Sequence, residues 1–349
     1  MVNNSFKIFP EKPSSIEDWM GFKSDGTYQR VISSVPFSRL NDISFLGALD
    51  YTQQTQISKN ERNRAVHSLY VAALANYIST KRNYSEDLKK HLIIAALLHD
   101  IGHPPLSHSV EPYTKQFLGL GHHELSENII RGLAPKSKPL NSYLNKIVDI
   151  NFVLDLINQN STEEGSDLFN SPINIDTIDG ITRAYAYLKN TQKVDMAESR
   201  LKIAEASFLH NSSCNNQNIL DEFWSKKDQV YRLLINSNEG LLSDKASELF
   251  FHTLSCSETI SEGDLYSSEH SWRKQYKKLF SSLFEIRARG RNEIPSWLEN
   301  KTIDYKARVY KVENVQEQFN RYSCVKQTKE HNFGRKNISK KLTATPLFQ

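Results

Sequence analysis

A chain of 349 residues with 38% hydrophobic and 24% charged side chains can bury one large core or two modest ones, and its net charge of +4 marks no extreme class. The longest uninterrupted apolar run, Leu92 to Leu98, is far short of the roughly 20 residues a bilayer span needs, and no signal-like stretch opens the chain; a membrane-spanning or secreted protein is not expected. Three dispersed cysteines, Cys214, Cys256 and Cys324, suggest neither a disulfide framework nor a thiolate zinc site and fit a reducing cytoplasm.

Residues 1–35 mix Pro, Ser and Gly with isolated aromatics and read as irregular connections packing onto a neighbouring lobe. From Arg62 to Ser79, two apolar stripes at helical spacing (Val66, Leu69, Ala73, Tyr77 and His67, Val71, Leu74, Ile78) predict a helix buried along two faces. Ser85 and the acidic residues after it suit a helix start, and Gly102-His103-Pro104-Pro105 breaks its far end, so a second helix is expected over 85–102 with His99 and Asp100 in its last turn. After a polar loop near Asn158 to Asp167, Ile175 to Lys189 reads as a helix carrying Asp176, Asp179, Arg183 and Tyr187 on one face. Helical patterns continue over Leu220–Leu234 and Ala246–Leu254. Partial alternation at Tyr305–Val312 and Arg321–Thr328 predicts short strands. Residues 268–349 carry 18 basic and 8 acidic side chains, so this third could attract phosphate, nucleic acid or an acidic surface; a merely solvated face is the plainer alternative.

Five of the eleven histidines, His99, His103, His108, His122 and His123, fall within 25 positions. An isolated His-Asp pair is a weak signal, but His99-Asp100 closes an apolar helix, and helix ends are good places to assemble polar groups. Imidazoles and carboxylates from several rigid helices can hold a first-row divalent metal; His67, His99, Asp100 and Asp176 are the candidates. A metal so held suits phosphoester hydrolysis, because it polarises a phosphoryl oxygen and acidifies bound water. His122 reads as solvated, and Asp179 as either a salt-bridge partner of Arg183 or a functional group.

These ligands occur in the order H…HD…D, which resembles the HD-domain phosphohydrolases, and the closer resemblance is to their dNTP triphosphohydrolase branch, the dGTPase-like and SAM-and-HD-domain dNTPase-like proteins. It is carried by Val35-Pro36-Phe37-Ser38-Arg39-Leu40 continuing to Leu46-Gly47, by Arg64-Ala65-Val66-His67-Ser68-Leu69, and by the run from Ala95 through His99-Asp100-Ile101-Gly102-His103-Pro104-Pro105 to His108. His123-Glu124 and Ile175-Asp176-Thr177-Ile178-Asp179 complete it. The resemblance implies a mainly α-helical HD core over 36–200; residues 201–349, read from their own patterns and charge, are expected to form a smaller helical and mixed α+β, basic lobe. It implies a divalent transition metal (Mn, Fe or Zn, with Mg at a second, substrate-bound site) on His67, His99, Asp100 and Asp176. His103, Glu111 and His123 would act as acid or proton-relay groups, and Arg64 and His108 would contact phosphate. Arg39, Phe45, Asp179 and Arg183 would line the substrate pocket.

The chain departs from the family pattern on the sugar side of that pocket: Phe45 stands where the family commonly has Gln, and Gly180 and Ala184 replace a Tyr and an Asp. The expected function is hydrolysis of a dNTP to deoxynucleoside and tripolyphosphate by a cytoplasmic homo-oligomer, with nucleic acid or a regulatory nucleotide as a further partner of the basic C-terminal region. The alternatives are an HD-type phosphodiesterase or nuclease, and a low-turnover nucleotide- or nucleic-acid-binding module.

Overall fold

The computed structural model describes residues 15–53, 55, 57–189, 193–209, 214–254, 259–289, 294–315 and 317–334. Capping residues make helices of the N-terminal stretch where composition predicts irregular connections. Asp18 accepts from the Ser15 N–H at the start of a 3₁₀ helix, Ile16–Ser24. Asp25 caps a helix at Gly26–Ile32, and Ser34 caps another at Val35–Arg39.

Helix α1 (Arg64–Lys81) starts where the Asn63 side chain accepts the Val66 N–H, and α2 (Glu86–Leu98) where Ser85 accepts that of Leu88. Their apolar stripes meet in the main core, with Val71, Ala72, Leu74, Ile78 and the whole run Leu92–Leu98 buried. The second helix ends four residues earlier than predicted. After Leu98 the chain makes tight turns, Ile101 N–H to Leu98 and His103 N–H to Asp100, and the adjacent His99 and Asp100 both reach His67. Short helices α3 (Glu111–Leu118) and α4 (His122–Ile130) follow. Gly102 is required between them and the turn: a Cβ there would lie 2.3 Å from the His122 carbonyl oxygen and 2.2 Å from the Ser126 nitrogen, so only glycine lets α4 approach.

Helices α5 (Ile175–Lys189), α6 (Lys193–Phe208) and α7 (Cys214–Val230) close the first core, and α7 runs into a π-helical turn, Tyr231–Ile235. A second core forms around α8 (Asn238–Phe251), α9 (Glu269–Gln275) and the helix Lys277–Arg289, where Phe251, Trp272 and Leu283 are buried together with Leu106, Val110 and Tyr113 from the histidine-rich segment. The predicted strands are present and longer: β1 (Thr302–Val312) pairs antiparallel with β2 (Tyr322–Asn332), Thr302 opposite Asn332 and Val312 opposite Tyr322. This hairpin returns to the first core through Tyr310 and Tyr322, so the last third of the chain serves both cores. The protein is therefore mainly α-helical with one small C-terminal sheet among the described residues. No helix among them is long and apolar enough to cross a membrane.

Asp244 on α8 accepts the Ser109 hydroxyl at 2.6 Å, and Ser109 in turn accepts the Ala48 N–H. Burial pushes this carboxyl up to about 6 despite that hydrogen bond. A carboxyl raised in the folded state binds more protons folded than unfolded, so its contribution is full below about pH 4 and is lost as pH rises through about 6. Asp244→Asn keeps the acceptor oxygen without the charge. It should raise unfolding free energy by about 2 kcal/mol at pH 7.5 and by almost nothing at pH 4; a difference independent of pH in denaturant titrations would refute this.

Candidate metal centre and adjoining histidine cluster

His67 on α1, His99 and Asp100 in the turn after α2, and Asp176 at the start of α5 converge. His67 Nε2 lies 3.2 Å from His99 Nε2, 3.1 Å from Asp176 Oδ1 and 3.6 Å from Asp100 Oδ2; His99 Nε2 lies 3.5 Å from Asp100 Oδ1. The tautomers follow from the opposite side of each ring. His67 Nδ1 donates to Asp179 at 2.6 Å and His99 Nδ1 to the Ala96 carbonyl at 2.7 Å, so both Nε2 lone pairs point at each other. Two lone pairs and two carboxylates at that spacing repel unless a cation sits among them. Ligands around a divalent ion at about 2.1 Å are themselves roughly 3.0–3.4 Å apart, so the residues present fit a first-row metal. Burial pushes His67 down, but its hydrogen bonds to Asp176 and Asp179 and the charges of Asp179 and Asp100 outweigh this and carry it up to about 9, the same convergence read as proton affinity.

The surroundings orient these ligands. Asp179, fully buried, accepts from His67, from Arg183 Nε at 2.9 Å and from Arg200 Nε at 2.6 Å; although burial opposes ionisation, these cations hold its carboxyl well below the usual range. Arg64 Nη1 donates to Asp100 at 2.7 Å and Nε to the Ser107 hydroxyl at 3.2 Å. Arg39 donates to the backbone carbonyls of Ile101, His103 and Ser267, pinning the turn. Leu106 and Ser107 adopt positive φ angles of 62° and 47°. Glu269 on α9 accepts the Leu106 N–H at 3.0 Å, together with the N–H and hydroxyl of Ser44 and the hydroxyl of Tyr51, so the second core holds this strained loop in place.

Beside the first site lies another cluster, joined to it by Asp100, whose Oδ1 is 3.1 Å from His103 Nε2. The His103 ring stacks on His122 with centroids 4.4 Å apart and meets His108 edge-on. Glu111 bridges the other two, Oε2 to His108 Nδ1 at 2.9 Å and Oε1 to His122 Nδ1 at 2.8 Å. Burial alone would raise Glu111, but hydrogen bonds from His108 and His122 and their charges hold it well below the usual carboxylate range. Burial, with the nearby Arg64 charge, pushes His103 well below the usual histidine value, so it is neutral at pH 7; its Nδ1 is buried without a hydrogen-bond partner. The open sides of the whole site are at Asp176 and His108, whose side chains are 56% and 61% exposed.

The structure thus brings together His67, His99, Asp100, Asp176, Arg64, His103, His108 and Glu111. One expectation changes. His122, read from sequence as solvated, faces Glu111 and His103 with a side chain 16% exposed, whereas His123 is the exposed neighbour, with its ring 4.1 Å from that of His122. Asp179 pairs with Arg183, one of the two readings its sequence position allows, and also accepts from His67, while Arg39 donates to backbone carbonyls. Phe45 sits beside the site, its ring 5.0 Å from His67 and under the guanidinium groups of Arg64 and Arg183. Gly180 leaves room there: the nearest atoms to a Cβ would be Asp176 Oδ1, His67 Cε1 and Phe45 Cζ, at 3.8–3.9 Å. Sequence reasoning passed over Arg200 and Glu269. The one available signal for His122 was Ser126, four residues on and on the same helix face, whose hydroxyl accepts the Gly102 N–H.

Of the basic residues singled out in the last third, Arg287 is solvent-exposed, while Arg291 and Lys340-Lys341, with the Arg289 side chain, lie outside the described residues.

Among known proteins, the family model for the HD domain matches residues 64–206. Curated relatives named deoxyguanosinetriphosphate triphosphohydrolase-like protein include one from Rickettsia typhi, 31% identical over 117 residues (31% of this chain, 30% of the relative). One from Corynebacterium diphtheriae is 39% identical over 107 residues (29% and 22%), and one from Leptospira interrogans 28% over 142 residues (39% and 33%). The matched stretch spans a third or less of these relatives' own length.

Proposed function

From the premise that this chain belongs to the HD-domain family, we propose that it is a metal-dependent nucleotide phosphohydrolase that opens a deoxynucleoside triphosphate at the α-phosphate, releasing deoxynucleoside and tripolyphosphate. The observation that carries the reading is the convergence of two imidazole lone pairs and two carboxylates beside a carboxylate-bridged histidine cluster. His67, His99, Asp100 and Asp176 would hold a divalent ion, which would supply Lewis acidity toward a phosphoryl oxygen and a more acidic water.

The protein's own groups then divide the work. Asp179 and the Ala96 carbonyl keep the Nδ1 protons of His67 and His99, leaving Nε2 for the ion. Glu111, ionised, accepts the proton on His122 Nδ1 and so fixes the ring, leaving Nε2 to exchange a proton with a leaving alkoxide; His123 at the rim is its relay to solvent. His108, exposed and bound to the same carboxylate, is placed to meet phosphate, and Arg64 offsets negative charge while it orients Asp100. On the sugar side, Phe45 and the space at Gly180 offer no hydrogen bond to a hydroxyl, which favours weak sugar selectivity. Cytoplasmic location, a homo-oligomer and a further nucleotide or nucleic acid on the basic C-terminal third belong to the same proposal.

The test is chromatography of a dNTP panel digested in manganese: free deoxynucleoside with tripolyphosphate is expected, and dNDP with orthophosphate would contradict the mechanism. A phosphodiesterase or nuclease reading draws on one observation, that nitrogens of His103, His108 and His122 lie within 4.8 Å of one another and could hold a second ion. Two ions per chain together with phosphodiester cleavage would select it.

A further inference from the structure

The hairpin of β1 and β2 has one edge in use and one free. Beyond the strand ends its register continues, with the Glu313 N–H donating to the Arg321 carbonyl at 2.7 Å and the Phe333 N–H to the Lys301 carbonyl at 2.9 Å. Antiparallel pairs alternate between bonded and unbonded, so the odd-numbered pairs carry the ladder and the even-numbered residues turn their N–H and C=O groups outward. On β1 such an outward N–H, that of Tyr310, donates to Asp228 on α7 at 3.2 Å. On β2 the outward groups belong to Cys324, Lys326, Thr328 and Glu330, and among the described residues their backbone meets no partner beyond the hairpin. Residues 324–330 are all exposed. An open edge of this length is a template for another strand.

Charge selects the strand that fits. Within the hairpin like charges face each other in two rows, Arg308 opposite Lys326 and Asp304 opposite Glu330, and such pairs are destabilising. None of these four side chains has an ion-pair partner among the described residues. A second copy laid antiparallel along β2, with Thr328 opposite its own counterpart, sets Lys326 against Glu330 of that copy and Glu330 against its Lys326. Each row then reads Arg308, Lys326, Glu330, Asp304 across four strands, so both like-charge pairs gain an opposite neighbour. Centring on Gln327 or Lys329 leaves these charges unmatched, and centring on Lys326 or Glu330 sets like against like. The backbone agrees, because Thr328 is one of the residues whose N–H and C=O face outward and can bond its counterpart. Since Asp228 occupies the outer edge of β1 at Tyr310, pairing ends at four strands, a closed dimer instead of a fibre.

We infer that the free edge of β2 is the surface through which two copies of this chain join, antiparallel about a two-fold axis at Thr328. The inference rests on the proposed homo-oligomer and names its surface; it does not depend on the chemistry of the metal centre. Exposed lysines commonly guard edge strands against pairing. Here the change of sign between Lys326 and Glu330 makes that guard act against the neighbouring registers and in favour of one.

The test is sedimentation equilibrium of the full chain at low salt, where the wild type should be a dimer. Glu330→Lys and Lys326→Glu should each weaken it about tenfold or more, since each sets like charges against one another twice across the axis. The double swap Lys326→Glu with Glu330→Lys should restore it. Neither single variant endangers the hairpin, because each gives its own β1 neighbour, Asp304 or Arg308, an opposite charge. In a Cys324→Ser background, Thr328→Cys should crosslink the two copies on oxidation, because hydrogen-bonded antiparallel neighbours lie about 5.5 Å apart at Cα, within disulfide reach. Lys306→Cys, in the same row but on β1, should not. A monomeric wild type would overturn the interface together with the homo-oligomer, and its turnover of dNTPs would leave the phosphohydrolase reading standing. A dimer that ignores both single charge variants and forms no Thr328→Cys crosslink would overturn the interface alone.

Discussion

His99→Ala is expected to abolish metal binding and lower nucleotide turnover by at least about 10³-fold while leaving the metal-free protein almost as stable as the wild type. The ring ends a helix, is only slightly exposed, and makes one hydrogen bond to the structure, from Nδ1 to the Ala96 carbonyl; its other nitrogen faces the ion position. Its removal should cost about 1–2 kcal/mol of stability at most, and it takes away one of the two imidazole donors of the candidate set. Asp100→Ala must behave differently although the two residues are adjacent. The Asp100 carboxylate also pairs with the buried Arg64 at 2.7 Å and with His103 at 3.1 Å, so its loss strands a guanidinium in the interior. Breaking such a pair costs about 3–5 kcal/mol. Elemental analysis, thermal unfolding in chelator and turnover should therefore show both variants without metal or activity and only Asp100→Ala markedly destabilised. Normal metal content in His99→Ala would remove it from the ligand set.

That contrast marks the boundary of what the sequence discloses. His67, His99, Asp100 and Asp176 are legible because each is tied to a helix with a clear stripe or breaker, and the helices over 64–81, 86–98 and 175–189 follow from local periodicity and caps. The choice between His122 and His123 depends on the phase of a helix that Gly121 caps, and a phase error of one residue rotates a side chain by about 100°. The Glu269 contact joins residues more than 160 positions apart in the chain, and Arg200 reaches Asp179 from a different helix. No local pattern announces either, since both are consequences of how completed elements dock. The N-terminal helices failed for a smaller reason: their capping residues, Asp25 and Ser34, belong to the same residue types that signal loops.

Asp179→Asn should weaken metal binding about 10–100-fold and destabilise the protein by about 3 kcal/mol or more at pH 7, a larger structural effect than loss of a metal ligand such as His99. Four hydrogen bonds end on this carboxylate: His67 Nδ1, Arg183 Nε and Nη2, and Arg200 Nε. Aspartate can accept all four because both oxygens carry lone pairs. An asparagine presents one oxygen and one NH₂ group, so a donor must face a donor, and the buried Arg183 and Arg200 lose the carboxylate they share. If the amide oxygen turns to Arg200, His67 loses the acceptor that keeps its proton on Nδ1, the ring is free to place that proton on Nε2, and the ion position is blocked. The pH dependence has a definite sign. Burial opposes ionisation of Asp179, but the charges of Arg183 and Arg200 and the bond from His67 depress its carboxyl, so its stabilisation is complete above about pH 4 and declines as pH falls toward the folded value. Urea denaturation of metal-free wild type and variant should show a gap of about 3 kcal/mol at pH 7 that narrows in acid below pH 4. A gap that persists undiminished into acid would mean that the Asp179 charge contributes nothing and that shape alone holds His67 in place.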